Sequence, residues 1–331
     1  MNRRQRFLQS RRLLAGLGAL ALTVATAHAA DTFPSRPITL VSPYGAGGAA
    51  DIAARAIAVA AGKELGQPVV VESKPGAEGL VGAADVMRAP PDGYRLFWGG
   101  AGSMMIVPAL RNKPPFDPAT AFTPIAGIAE FSFFLYVDKS FPANNMAEFI
   151  KAVKENPGKY NYGTGNNQGL LTMNYLSKLY DLKMQQVSYR GEVAVINDMM
   201  AGRMQALFGT GVAAPHVKSG GVKALVTTLS ERSPLLPDVP SMKEAGIKEV
   251  PFSPGGGWLG FFGPAGMDPK VVDRLDRAFS AALSDPKVRE VMQSVGVAHV
   301  PMDRAKLTKF VVSQRDHYVK AVSELGIPRR D

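Results

Sequence analysis

Residues 38–51 read Ile-Thr-Leu-Val-Ser-Pro-Tyr-Gly-Ala-Gly-Gly-Ala-Ala-Asp, an apolar run that breaks at Pro43 into glycines and then into an alanine-rich helical pattern. The succession is that of a strand, a turn and a helix. Gly45, Gly47 and Gly48 let the backbone approach a ligand without Cβ obstruction, and a helix opening near Ala49 aims unpaired N–H groups and its positive dipole end at that turn. A carboxylate or a phosphate fits there.

The alternation continues downstream. We expect a strand over 38–41, a helix over about 49–65 with Ile52, Ala56, Val59 and Ala60 at helical spacing, and a strand over 68–72. A helix containing 82–88 follows, and the turn Pro91-Asp92-Gly93 leads into a strand over 94–98. Such a β-α-β-α-β unit argues for an α/β fold with a mostly parallel sheet, helices on both faces and ligands at the carboxyl ends of the strands. The opening turn lies there.

After Pro114, Pro115, Pro118 and Pro124, a strand over 132–137 carries the chain into a second unit. A helix over 147–154 and a strand over 160–162 precede another glycine-rich turn, Gly163-Thr-Gly-Asn-Asn-Gln-Gly169, and a helix over 170–180. The opening device is thus repeated. Strands at 187–189, 205–208 and 222–228 and a helix over 193–201 complete the unit. A strand over 258–263 and a helix announced by Asp268-Pro269, with Val271, Val272, Leu275, Phe279 and Leu283 as its apolar stripe, support a return to the first unit. A last helix over 304–325, with Leu307, Phe310, Val311 and Tyr318 inward, closes the chain.

The N-terminus is an address. Arg3, Arg4, Arg6, Arg11 and Arg12 precede an apolar segment over 13–27 and an Ala27-His28-Ala29 cleavage pattern, so 1–29 is expected to be a signal peptide. Ser10-Arg11-Arg12-Leu13-Leu14 fits a twin-arginine signal as well as a general secretory one, and the route stays open. Of the 38 basic residues, 33 lie beyond that segment against 28 acidic ones, which suits an anionic small molecule. No dense basic block interleaves with aromatics, so no nucleic-acid partner is expected. The chain has no Cys, which excludes disulfides and thiolate metal sites, and its histidines lack metal-binding spacing. No metal or cofactor is expected.

One enzymatic reading competes. Gly45-x-Gly47-x-x-Ala50 satisfies a dinucleotide fingerprint, and Glu72 ends the next strand where a ribose-binding acid is expected, which would make the chain an exported oxidoreductase. Against it, Ser42-Pro43-Tyr44 separates strand from glycine, and the second turn has the wrong spacing. Neither a P-loop lysine nor a G-x-S-x-G elbow is present.

The ordered set Phe33-Pro-Ser-Arg-Pro-Ile38, Gly47-Gly48-x-x-Asp51, Leu65-Gly-Gln-Pro-Val-Val-Val-Glu72, Pro91-Asp-Gly-Tyr94, Tyr189-Arg-Gly191, Asp198-x-x-x-Gly202 and Leu236-Pro-Asp-Val-Pro240 resembles the Bug family, the extracytoplasmic solute receptors of tripartite tricarboxylate transporters. The resemblance implies a non-enzymatic, periplasmic receptor with a type II-like Venus-flytrap fold. Domain 1 would span 30–130 plus 252–331, domain 2 would span 131–251, and the ligand cleft would lie between them. It implies a small organic carboxylate as ligand, membrane transporter subunits or a signalling protein as partner, and a monomeric state. The implied ligand-binding residues are Tyr44, Gly47, Gly48, Ala49 and Asp51 on one side, and Thr164, Gly165, Asn166, Asn167, Tyr189 and Asp198 on the other.

The chain departs from the family pattern around the cleft: Ala46 stands for a usual proline, and Asn166-Asn167-Gln168 for a serine-rich turn. The asparagines suit either reading of a polar ligand group or the backbone needs of a turn. Asp51 suits helix-dipole support or the positioning of a water or amine. Trp98, Phe131, Phe133 and Phe134 suit sheet core or an aromatic-ligand box, and Tyr44 belongs to either account.

Overall fold

A computed structural model describes residues 33–229, 231–247, 257–300, 302–324 and 326–329. The signal segment 1–29 and the expected domain boundary at 251/252 lie outside the described residues.

Two mixed sheets carry the fold. The six-stranded sheet has the order β11-β4-β10-β3-β1-β2 and the five-stranded sheet the order β7-β6-β8-β5-β9. In the first, β1 (Ile38–Ser42) pairs in parallel with both β2 (Val69–Ser73) and β3 (Arg95–Gly100). The long β4 (Phe122–Phe131), together with the late strands β10 (Trp258–Pro264) and β11 (Val297–Val300), adds antiparallel neighbours. The expected mostly parallel sheet is therefore corrected to a mixed one: three strands come from the opening unit and three are laid beside them by a crossing and returning chain.

The crossing is short. Only Ser132 separates β4 from β5 (Phe133–Asp138), which belongs to the other sheet. Ser132 donates its N–H to the Gly296 carbonyl at 2.7 Å and shares a hydroxyl contact with Ser233 at 3.1 Å. In the second sheet β6 (Asn161–Thr164) runs parallel to β7 (Gln185–Ser188) and β8 (Ala206–Thr210), while β5 lies antiparallel between β8 and β9 (Val222–Thr227).

Helices cover both sheets. They are α1 (Ala49–Leu65), α2 (Leu80–Met87), α3 (Met146–Glu155), α4 (Asn167–Tyr180), α5 (Glu192–Met200), α6 (Pro269–Ser284), α7 (Pro286–Ser294) and α8 (Arg304–Glu324), with single-turn helices between. α1 has the expected bounds, but its buried face is Ala53, Ala54, Ile57, Ala58 and Ala61, and Val59 is 65% exposed. In a helix so rich in alanine the small residues seek the close approach, and the apolar pattern does not single out one face.

Trp98, Phe131, Phe133 and Phe134 are all buried, and Trp98 packs on Phe261 with ring centroids 4.5 Å apart. The aromatic side chains are sheet core. Among the described residues no helix is long and apolar enough to cross a membrane.

Candidate functional site

The first turn leaves β1 at the fully buried Ser42. Tyr44 is anchored from both ends: its carbonyl accepts the Ser73 hydroxyl at 2.6 Å, and its phenol is buried at the Ser103 hydroxyl. Burial pushes that phenol's pKa far up, and the Ser103 hydrogen bond offsets part of the shift. Gly47 has φ +77, a left-handed conformation that favours glycine, and Gly48 is the extended N-cap of α1.

Asp51, in the first turn of α1, is only 3% exposed. Its Oδ2 accepts the Gly47 N–H and Arg55 Nε, each at 3.0 Å, and its Oδ1 meets Arg55 Nη2 at 3.0 Å. This carboxylate is a brace for the turn, neutralised by the base one helical turn on. The Gly47 N–H is thereby used. The N–H groups of Gly48, Ala49 and Ala50 precede the first intrahelical bond, Ile52 N–H to the Gly48 carbonyl at 3.0 Å, and so lie outside the helical hydrogen-bond ladder. Trp98 Nε1 donates to the Ala50 carbonyl at 3.1 Å and fixes this helix start on the sheet.

The second turn follows β6. Thr164 accepts the Tyr189 N–H on its carbonyl at 2.9 Å and the Gln186 amide on its hydroxyl at 3.1 Å. A Cβ on Gly165 would stand 2.5 Å from the Glu192 backbone N, so glycine here permits close packing against the start of α5. Asn166 caps α4, accepting the Gly169 N–H at 2.5 Å, while its amide donates to Glu192 Oε1 at 2.6 Å. The Asn167 amide donates to the Glu78 and Gly102 carbonyls, at 3.0 and 3.2 Å, on the side of the first sheet. Gln168 accepts the buried Tyr318 hydroxyl of α8 at 3.0 Å. All three amide side chains are engaged in structure, which favours their turn and capping reading.

Sequence reasoning passed over Glu192. Opening α5 and 8% exposed, it accepts Asn166 on one oxygen and both the N–H (2.9 Å) and hydroxyl (2.7 Å) of Thr210 on the other. Burial raises its carboxyl pKa, with those hydrogen bonds opposing. An acid beside a glycine before a helical pattern was the only sequence signal. Its partners lie 18 and 26 positions away. Tyr189 and Asp198 are joined to each other by a 2.7 Å hydrogen bond, and Arg203 also donates to Asp198, holding that carboxyl below its ordinary range with the Tyr189 contact as the first cause.

The turns meet. A Cβ on Gly45 would lie 3.5 Å from the Arg190 carbonyl, one on Gly47 would lie 3.9 Å from the Val193 side chain, and one on Gly102 would lie 3.7 Å from Asn167 Cβ. Three helix starts, those of α1, α4 and α5, are thereby brought together between the two sheets. Glu72, the acid required by a dinucleotide reading, is instead paired with Arg95 at 2.7 Å and Lys74 at 3.2 Å.

Two α/β sheets whose helix starts meet are the arrangement of periplasmic binding proteins. The solved structure of periplasmic binding protein BugD superposes with a TM-score of 0.83 at 31% identity, covering 89% of this chain and 99% of that one. MatC from Rhodopseudomonas palustris, solved with bound malate, gives 0.81 at 30%, covering 88% of this chain and 100% of its own. Among curated proteins, "UPF0065 protein in gbd 5'region" of Cupriavidus necator is 33% identical over 98% of this chain and 99% of its own length. Residues 53–327 match the model of the tripartite tricarboxylate transporter family receptor, and the chain belongs to that family. It is a solute-binding receptor and not an enzyme. The oxidoreductase alternative has no support.

Proposed function

We propose that this receptor binds a small organic carboxylate in a crevice bordered by the starts of α1, α4 and α5 and delivers it to an integral membrane transporter of the tripartite type, or presents it to a signalling protein. What supports the reading is the start of α1, where a glycine turn leads into a helix whose first N–H groups, those of Gly48, Ala49 and Ala50, lie outside the intrahelical ladder at its positive dipole end. Malate in a relative of 30% identity supports the same ligand chemistry. On this reading Tyr44, Gly47, Gly48, Ala49 and Asp51 form one side of the site. Thr164, Gly165, Asn166, Asn167, Tyr189 and Asp198 form or brace the other. The lobes correspond to 30–130 plus 252–331 and to 131–251, residues 1–29 are a cleaved signal peptide, and the mature receptor is a periplasmic monomer.

A thermal-shift screen tests this. Protein stripped of carried-over ligand by unfolding and refolding is heated with mono-, di- and tricarboxylates, amino acids, aromatic acids and NAD(P). A ligand that binds only the folded state raises Tm by mass action. A saturable rise with one class of acid supports the reading, and a rise with NAD(P) alone overturns it. Replacing Gly48 by a bulky residue should abolish the acid-induced rise.

A further inference from the structure

The two acids that open α1 and α5 differ in what neutralises them. Asp51 is ion-paired to Arg55. The Glu192 carboxylate receives only neutral donors: the Asn166 amide at 2.6 Å and the Thr210 N–H and hydroxyl at 2.9 and 2.7 Å. The other titratable group coupled to it is the buried Tyr136 hydroxyl, which donates to the Thr210 carbonyl at 2.9 Å. The base nearest in sequence, Arg190, is not among the carboxylate's hydrogen-bond partners, in contrast to Arg55 at Asp51.

A helix start carries roughly half a positive charge. Both Glu192 oxygens act only as acceptors, the bonding of an ionised carboxylate, and one buried negative charge at the adjoining starts of α4 and α5 offsets both. The wall formed by α4 and α5 therefore has no net attraction for an anion, whereas the wall formed by α1, with Asp51 neutralised, keeps its own. We infer that Glu192 is a specificity-determining residue, selecting acids with one anionic end and a hydroxyl, amide or ammonium group at the other over dicarboxylates. This rests on the carboxylate reading of the crevice. The carboxylate lies on α1 and the neutral or cationic end points to the α4–α5 wall.

Calorimetric titration at pH 7 and fixed salt tests the inference with matched sets: succinate, 4-hydroxybutyrate and 4-aminobutyrate, then adipate and 6-aminohexanoate, with malate and the common α-amino acids completing the panel. In wild type, the tightest binder should be a hydroxy or amino acid, favoured about tenfold over the dicarboxylate of matched length. In Glu192→Gln the dicarboxylate should gain and the ammonium ligand lose, closing that ratio, whereas Glu192→Asp, which keeps the charge, should preserve it. A merely structural role would weaken both classes alike. The inference is overturned if wild type prefers dicarboxylates, or if Glu192→Gln leaves the ratio unchanged. The wild-type ranking decides alone if the variant does not fold. Binding of no acid at all would instead remove the carboxylate reading on which the inference rests.

Discussion

The turn before α1 and the turn before α4 use the same local device with opposite electrical outcomes. Each ends a parallel strand, contains glycines and opens a helix beside a buried acid. In the first, the positive φ of Gly47 is what requires glycine, the acid is matched by Arg55, and the N–H groups of Gly48, Ala49 and Ala50 lie outside the helical ladder. In the second, Gly165 is required by contact with α5, the side chains are spent on capping and on ties to other elements, and Glu192 has no matching base among its partners. Sequence likeness between two anion-type turns therefore does not make them electrically alike. The partner of the buried acid decides.

The sharpest way to break this comparison is to add one methyl group to each turn. Gly165→Ala drives a Cβ to 2.5 Å from backbone that cannot yield, and we expect a loss of about 3 kcal/mol in urea unfolding. Gly48→Ala, at φ −76 with 3.5 Å of clearance, should stay within about 0.5 kcal/mol in the same assay. Equal losses would show that the second turn is no more tightly packed than the first. Next comes Tyr318→Phe, which strips the buried Gln168 carbonyl of its donor. A loss of about 1.5 kcal/mol is expected, with faster hydrogen exchange at the start of α4 and none at the start of α1.

A smaller effect sharpens the electrostatic half. Asp51→Asn keeps an acceptor for the Gly47 N–H but leaves Arg55 without its counter-charge, at a stability cost of about 0.5 kcal/mol because Arg55 is half exposed. Carboxylate affinity should then rise, roughly twofold to threefold at low salt, and the gain should vanish at high salt. A fall in affinity would mean that Asp51 touches the ligand rather than bracing the turn.

Much of this was legible in the residues. The punctuation Gly48 and Gly66 set the bounds of α1, and Asp268-Pro269 set the start of α6. β4 was hidden by Pro124, which breaks a strand pattern. The proline is tolerated because β11 pairs only with residues 128–131, leaving its stretch of β4 at a sheet edge beside a register shift in β10. α7 had the same Asp-Pro start as α6, at Asp285-Pro286, and was passed over. The roles of Asn166, Asn167 and Glu192 depend on partners 26, 89, 65 and 18 residues away, and no local pattern encodes such a pairing.

The smallest predicted effect concerns pH, and it separates two acids of the second half by sign. Glu192 is raised above its unfolded value near 4.5 by burial, so the folded chain loses this proton at a higher pH than the unfolded chain does. Its contribution to stability is full below that value and is lost as pH rises through the higher folded pKa. Asp198 is lowered, first by the Tyr189 hydrogen bond and then by Arg203, so its contribution is present above its unfolded value of 3.8 and is lost as pH falls through the lower folded pKa. Urea unfolding across pH 3 to 8 should therefore show the wild-type advantage over Glu192→Gln shrinking as pH rises. The advantage over Asp198→Asn should shrink as pH falls. If the Glu192→Gln difference were flat, the carboxylate would carry the same charge in the folded and unfolded states across that range. If it instead grew with pH, a cation would be compensating Glu192, and the contrast with the Asp51–Arg55 pair would disappear.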